Sequence, residues 1–466
     1  MNTLRLIIVS ALLVCCQQIW AADNDSVLLA KQGAAILSVR TIGGELPTCS
    51  FLWPPEGANG IGLINNNKVP GRVILTEGDS TLYDSGDYVK DQSGMTIKVR
   101  GNSSAYYYAK YPYKIKLERK NDLFNRGSET YYDKNWVLLH EGDSKLNAMI
   151  GLKVSELMGV GQWTPAYKFV NLILNGDNLG VYMLIEQVRR NRDCRIDVDK
   201  ASGYIIERDS YWWNEGFYFK SWLNKEYTFK YPDTEDLTLA SFNYIQQEVQ
   251  TMEQAISSGN YDDVIDTRSF AAWLLAHDIL GTYDSGGSNI YLTKYDSSDT
   301  TKFAMATLWD FDSSFRNQNK WARIHDSNFF YFPLLFTSDN KSFATQYYKL
   351  WEEKRDTLFS QMEQFLNDFL LSDECRKMDY SRILDGHRFN CIQPTVRKNI
   401  NDALKWFSQR KLWLDTMVSQ IETSIETPAS EQKPATATYN LKGMREKPTF
   451  RGRGLRIVNG RKYFTP

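Results

Sequence analysis

Alternating apolar and polar residues are frequent in the first 200 residues of the chain and predict β-strands there. The stretches Met95–Arg100 (MTIKVR) and Tyr113–Arg119 (YKIKLER) alternate with a period of two, as half-buried strands do. In residues 168–188, two apolar runs flank Asn-Gly-Asp-Asn, which predicts a β-hairpin. Between these strands, residues 143–161 carry apolar positions at helical spacing and end in Gly159 and Gly161, so one helix is expected there.

After about residue 236 the apolar spacing becomes helical. Helices are predicted in residues 241–258, 269–284, 346–371 and 395–425. A strand pair, NIYLTKY (289–295) and FAMATLWDFD (303–312), interrupts them. The pattern therefore predicts an α+β fold with a β-rich first lobe and an α-rich second lobe.

The two ends of the chain have a different composition from the centre. Residues 1–22 combine Arg5, an apolar run and small residues at Ala21 and Ala22, which is typical of a secretory signal peptide. Residues 25–425 form the predicted main domain, and the polar, proline-containing residues 426–436 read as a linker. Residues 437–466 hold eight Lys and Arg and one Glu, with a hairpin turn at Asn459-Gly460, so a small β unit is favoured over a disordered basic tail.

Bulk composition narrows the function classes. The 466 residues are 42% hydrophobic and carry a net charge of −1, which allows a sizeable core and gives no charge bias toward nucleic acid or an anionic membrane. Beyond the signal peptide, no run of 18 apolar residues predicts a membrane span. The four cysteines outside the signal peptide, Cys49, Cys194, Cys375 and Cys391, permit two disulfides, with Cys375–Cys391 as a local pair, or buried free thiols.

Candidate chemistry centres on the sequence TLWDFDSSF (307–315). In a strand, Asp310 and Asp312 would face the same way, and two carboxylates on one face suit a hard cation such as Mg²⁺ or Mn²⁺. The alternative is a turn in which Asp caps the backbone. The strand pair would also bring Asp284 and Asn289 near Asp310, and Asp284 and Asn289 have the five-residue spacing of the protein-kinase catalytic loop.

A kinase also needs cations for the phosphates of ATP. Lys114 and Lys116 lie on one face of a predicted strand, where lysines also serve simply to protect an exposed edge. Just upstream, Gly101, Asn102, Ser103 and Ser104 form a loop after a strand that can cradle phosphate or make an ordinary turn.

These motifs, in order, resemble the CotH (spore coat protein H) kinase family. The resemblance rests on RGNSS, KYPYKIKL, NWVLLHEGD, LNGDNLGVYMLIEQV, TYDSGGSNIYL and LWDFDSSF, and it extends from about residue 90 to 320. It implies an atypical protein-kinase-like fold of two lobes that uses ATP and a divalent metal, Mg²⁺ or Mn²⁺. Some members are implicated in phosphorylating exported proteins, and others resemble surface adhesins.

The resemblance also implies roles for individual residues. Asp284 takes the catalytic position, Asn289 and Asp310 hold the metal, and Asp312 supports it. Lys116 is the first choice for the phosphate-binding lysine and Lys114 the second. The remaining nucleotide-site candidates are Ser103, Arg100 and Glu186. Arg100 is expected to pair with an acid, and Glu186 to contact nucleotide or to pair with a lysine. The chain has no Gly-rich loop and no His-Arg before Asp284, and it reads Asp-Phe-Asp where kinases have Asp-Phe-Gly.

The C-terminal segment YNLKGMR…GRGLRIVNGRKYF resembles the sorting segments of type IX secretion substrates. This resemblance implies an exported protein at the cell surface or outside the cell, with the outer-membrane secretion machinery and an exported protein substrate as partners. A rival hypothesis is a kinase-like adhesin or a module that binds glycan or protein, in which aromatics would stack on sugars. The aromatics considered are Tyr106, Tyr107, Tyr108, Tyr211, Trp212 and Trp213.

Overall fold

The computed structural model describes most of the central chain. It covers residues 27–108, 110–140, 146–282, 287–316, 320–323, 330–388 and 395–426, and four short strands between residues 438 and 465. The predicted signal peptide, the predicted linker apart from Glu426, and Cys391 lie outside the described residues. The chain divides into two units, Met1–Thr416 and Met417–Pro466.

The first half of the larger unit is built from strands. Their bounds are β1 (Ala35–Thr41), β2 (Ser50–Leu52), β3 (Gly62–Ile64), β4 (Val69–Glu77), β5 (Ser80–Asp84), β6 (Met95–Val99), β7 (Tyr113–Asn121), β8 (Asp133–Leu139), β9 (Tyr167–Leu174) and β10 (Asp177–Glu186). Eight of them form one sheet in the order β1-β9-β10-β8-β7-β6-β4-β5. Because β1 also pairs with β4, seven strands close into a barrel and β5 lies beside β4.

The period-two pattern of the sequence determines the two faces of this barrel. Apolar side chains of alternate positions fill the interior, among them Val39, Val73, Ile97, Ile115, Leu138, Leu172 and Leu184. The intervening positions point outward, so Lys98 of β6 and Lys114 of β7, which are cross-strand partners, share the outer face. The strands predicted at 95–100 and 113–119 and the hairpin of β9 and β10 are confirmed.

A second antiparallel sheet follows in the order β12-β13-β11-β14-β15. Its strands are β11 (Tyr204–Arg208), β12 (Tyr218–Lys220), β13 (Glu226–Tyr231), β14 (Ile290–Lys294) and β15 (Phe303–Met305). The predicted pairing of β14 with β15 is confirmed. The second strand of this pair ends at Met305, however, and does not run on through Asp310 and Asp312 as the sequence suggested.

Helices make up most of the remaining described residues up to residue 426. Their bounds are α1 (27–32), α2 (Ser103–Tyr107), α3 (Leu146–Met158), α4 (Leu239–Ser258), α5 (Thr267–Leu280), α6 (Phe332–Thr337), α7 (Ser342–Leu371), α8 (Asp373–Arg388) and α9 (Val396–Glu426). Sequence signals explain several ends: Thr238 caps α4 with a capping box, and Gly259 and Gly281 end α4 and α5 in the left-handed conformation.

The fold contains both helices and strands, as predicted, but their organisation differs from the predicted one. The first lobe is a barrel-like sheet. A second, five-stranded sheet joins β11, β12 and β13, which precede the part predicted to be helical, to the predicted strand pair β14 and β15 within that part. A clear kinase-like division into two lobes is therefore not what the described fold shows. Among the described residues, no helix combines the length and apolarity needed to cross a bilayer.

The cysteines and the C-terminal segment were also subjects of prediction. Cys49, Cys194 and Cys375 are free thiols, in agreement with the free-thiol alternative for these three. In the C-terminal unit, β16 (Thr438–Tyr439), β17 (Arg445–Glu446), β18 (Gly454–Val458) and β19 (Arg461–Thr465) form a four-stranded sheet. Val458 pairs with Arg461, which confirms the hairpin predicted around Asn459-Gly460.

Candidate active site

A cleft of about 590 Å³ opens where the outer face of the barrel meets the five-stranded sheet. One wall comes from β6, β7 and the segment that joins them, and the other comes from β11, β13 and the segments beside β14 and β15. The predicted site residues that line it are Arg100, Ser103, Lys114, Asn289, Asp310 and Asp312. The fold thus brings together residues that are more than 200 positions apart in sequence.

Asn289 and Asp310 form the centre of the acidic wall. The Asn289 Nδ2 amide donates a 2.8 Å hydrogen bond to Asp310 Oδ2. Both residues have left-handed backbones, with φ of 58° and 63°. Non-glycine residues rarely adopt this conformation, and those that do cluster at functional sites. Asn and Asp tolerate it better than other non-glycine residues. The sequence places the two residue types that tolerate this conformation where the two chain segments meet.

The Asp-Phe-Asp segment is held from three sides although it is not a strand. Phe311 is buried against Gly151 of α3, and the Phe315 amide donates to the Leu280 carbonyl at the end of α5. The hydroxyls of Ser314 and Thr282 are 2.8 Å apart. Asp312 is exposed and Asp310 half-buried, so these contacts distinguish two acids that looked equivalent in sequence.

Gly151 provides a test of this anchoring. A Cβ at position 151 would lie 2.1 Å from Phe311 Cδ1, so Phe311 and its flanking acids must shift in a Gly151→Ala variant. We expect a loss of about 1–3 kcal/mol in the free energy of unfolding, although Ala normally stabilises a helix interior by about 1 kcal/mol over Gly. Urea denaturation measures the change. Gly216→Ala, where a Cβ meets open space, is the control, and a stabilised Gly151→Ala protein would contradict the packing.

The two candidate lysines occupy different environments. Lys116 is exposed and lies outside the cleft lining, whereas Lys114 lines the cleft. Burial, together with the positive charges of Lys98, Arg189, Arg100 and Lys116, lowers the pKa of Lys114 to about 7. The fold therefore places the second-choice lysine, and not the first, beside the predicted acids.

Glu186 is not part of the cleft lining, although its neighbours Ile185 and Gln187 are, and it makes structural contacts. It is buried, and Arg126 donates a 2.8 Å hydrogen bond to its Oε1. Its Oε2 accepts hydrogen bonds from the Trp163 indole and the Ala166 amide. The expected lysine partner is thus an arginine, and these contacts tie Glu186 to the loops around β10 instead of to the predicted nucleotide site.

Arg100 and Ser103 lie in the segment between β6 and β7, Ser103 as the first residue of α2, and both line the cleft with the acids. Burial lowers the pKa of Arg100, and the charges of Tyr291, Asp310 and Glu207 act in the opposite direction. Asp310 and Glu207 are therefore the candidate partners for the predicted pairing of Arg100 with an acid. Ser103 contributes its hydroxyl to a hydrogen bond with Tyr211, which joins this segment to the opposite wall.

The oxygen atoms of the Asp310, Asp312 and Asn289 side chains are of the kind that binds a hard divalent cation. Asp310 and Asp312 supply carboxylates and Asn289 an amide oxygen, the ligands that Mg²⁺ and Mn²⁺ prefer. Within the part of the chain that the structure describes, no three His, Cys, Asp or Glu side chains are grouped to hold a metal. The predicted catalytic residue, Asp284, lies outside the described residues.

Several cleft residues were missed by the sequence reasoning. Lys98 and His140 line the barrel wall, and Glu207, Asp209 and Lys230 line the opposite wall. Lys98 could have been found, because it alternates with Arg100 in a predicted strand. Glu207 and Asp209 are also two residues apart, but no predicted strand covered them. Burial raises the pKa of Glu207 to about 7, and Lys230 opposes this shift.

Comparison with known proteins adds an independent observation. A search of curated proteins finds none that matches this chain. The family described as CotH kinase protein matches residues 97–369, which begin in β6 and end within α7. The matched range includes both walls of the cleft and more than half of the sequence. The chain therefore belongs to the CotH kinase protein family.

Proposed function

We propose that this protein is a metal-dependent kinase that transfers the γ-phosphate of ATP to Ser or Thr hydroxyls of exported proteins. The observation that carries the proposal is the charge arrangement of the cleft. Lys98, Arg100 and Lys114 share one wall, and none forms an ion pair with a described carboxylate. Asp310 and Asn289 face them. A cluster of cations beside hard oxygen donors suits a polyphosphate together with its metal.

Each cleft residue has its own role in the proposed phosphoryl transfer. Lys114 and Arg100 bind phosphate oxygens, and Ser103 and its neighbouring backbone amides orient them. Asp310 and Asn289 hold Mg²⁺ or Mn²⁺, with Asp312 in support from the rim. When bound, the metal neutralises charge that builds on the phosphates. Asp284 orients the acceptor hydroxyl and accepts its proton; this role rests on the family resemblance and on its spacing to Asn289.

The wider proposal concerns export and architecture. The barrel takes the place of the kinase N-lobe and the helical part that of the C-lobe, with ATP between them. Residues 1–22 direct export, and the C-terminal segment is a type IX sorting signal that is read at the outer membrane. The resemblances in sequence support these parts, and the antiparallel sheet of the C-terminal unit is compatible with a folded signal.

A binding module without catalysis is the second candidate. Tyr106, Tyr107 and Tyr108 are exposed and lie beside the cleft, which favours a docking surface. Tyr211, Trp212 and Trp213 are half-buried, and Trp213 donates to the Asn59 carbonyl, so these three serve packing. The cluster of Lys98, Arg100 and Lys114 has no role in this alternative.

Two measurements on the wild-type chain separate the candidates. ATP with Mn²⁺ should raise the melting temperature, since a ligand of the native state stabilises it. Radiolabelled ATP should then transfer phosphate to the chain itself or to an extracellular protein fraction. A melting temperature unchanged at millimolar ATP and Mn²⁺ would reject the kinase and favour the binding module.

A further inference from the structure

Lys230, which is partly exposed, forms an ion pair with the buried Glu207 on the wall opposite Lys114. Lys230 Nζ lies 2.6 Å from Glu207 Oε2, and the side chains are 25% and 5% exposed. Both residues line the cleft. Glu207 also hydrogen-bonds the Tyr291 side chain and lies near Arg100, which links it to both walls. The carboxylate is thus fixed from several sides, while the lysine keeps access to the cleft.

The backbone at Lys230 is adapted to direct this side chain. Ile206 pairs with Phe229 and Ile205 with Tyr231, so Lys230 is the extra residue of a β-bulge between β11 and β13. Bulges are frequent next to active sites, where they redirect a side chain. The extra residue places the Lys230 side chain beside Glu207 and on the lining of the cleft.

We propose that Lys230, held in place by Glu207, is a second phosphate-binding cation, so that ATP phosphates are bound between cations of both walls. This inference rests on the proposed kinase function. Protein kinases use a Lys–Glu ion pair for this purpose. Here the pair lies on the sheet that also leads into Asn289, and not on the barrel strand where the sequence suggested a lysine.

The best-suited variant removes both charges at once. Loss of one partner from a buried ion pair leaves an uncompensated charge and can unfold a protein, whereas removing both is often tolerated. We therefore expect the Lys230→Met/Glu207→Gln double variant to fold. It should bind ATP with Mn²⁺ at least tenfold more weakly than wild type in calorimetry. Its affinity for adenosine, which has no phosphates, should stay within twofold.

Lys294 supplies a matched control. It forms a buried ion pair with Glu248 at 3.1 Å in the same sheet but does not line the cleft. The Lys294→Met variant should lose thermal stability and keep both affinities within twofold. The Lys230→Arg variant should retain ATP binding, and Glu207→Gln should lower the transfer rate more than it raises KM for ATP, because the lysine is then present but poorly positioned.

Each outcome bears on one of the two proposals. A double variant that binds ATP as tightly as wild type overturns the role of Lys230 and leaves the kinase function standing. Equal losses of ATP and adenosine affinity would also overturn it, since they would indicate a structural role. A wild-type chain that binds no ATP would reject the kinase function itself, and with it this inference.

Discussion

An Asp310→Asn variant should lose phosphate transfer by at least about 10³-fold while remaining folded. Removing one preorganised hydrogen-bond donor from an oxyanion hole typically costs about 10²–10³-fold. Removing the carboxylate that holds the metal should cost at least as much, because the metal is the group that neutralises charge on the phosphates. Asn has the same shape and tolerates the left-handed backbone at φ 63°. The fold and the contact with Asn289 can therefore persist after the charge is removed.

Asp91 is the matched control for this experiment. It is also an aspartate with a left-handed backbone, at φ 61°, but it is exposed and lies outside the cleft lining. Transfer of label from radioactive ATP should be unchanged within twofold in Asp91→Asn. In Asp310→Asn, Mn²⁺ should no longer increase the thermal shift produced by ATP. Retention of more than a tenth of wild-type transfer would remove Asp310 from the metal site.

The strands of the barrel are encoded locally in the sequence, whereas the closure of the barrel is not. The period of two in MTIKVR and YKIKLER predicts strands, because successive side chains of a strand point to opposite faces and this alternation can be read from a few adjacent residues. Closure of the barrel depends on β1 pairing with both β4 and β9, which no local pattern specifies. The sequence therefore predicts the elements of the barrel but not their closure.

The candidate site follows the same division. Asn289 and Asp310 were predicted to meet because adjacent strands lead to them, and they do, although β15 ends five residues before Asp310. The resemblance ranks Lys116 before Lys114, whereas Lys114 is the one that lines the cleft. The alternation pattern does not separate them, because both lie on the same face of β7 and differ only in the tertiary contacts of that face. Lys230 was missed because its orientation depends on a bulge and on a partner 23 positions earlier.

Lys114 should also make ATP binding depend on pH in a predictable direction. In the free protein its pKa is lowered to about 7, first by burial and then by the surrounding cations Lys98, Arg189, Arg100 and Lys116. A bound polyphosphate favours the charged lysine and raises that pKa. Binding therefore takes up a proton above about pH 7, and affinity should fall as pH rises, by at most about tenfold per pH unit for one group.

The measurement is calorimetric titration with ATP and Mn²⁺ between about pH 7.5 and 9, where the phosphates, with a pKa near 6, are already ionised. Repeating it in two buffers of different ionisation enthalpy gives the proton uptake directly. Lys114→Met should bind at least tenfold more weakly at the lower pH and lose most of the decline. Lys116→Met, two residues along the same face and exposed, should keep both affinity and slope. If Lys116→Met instead shows the loss and Lys114→Met does not, the first choice made from sequence is correct, and the burial of Lys114 is structural.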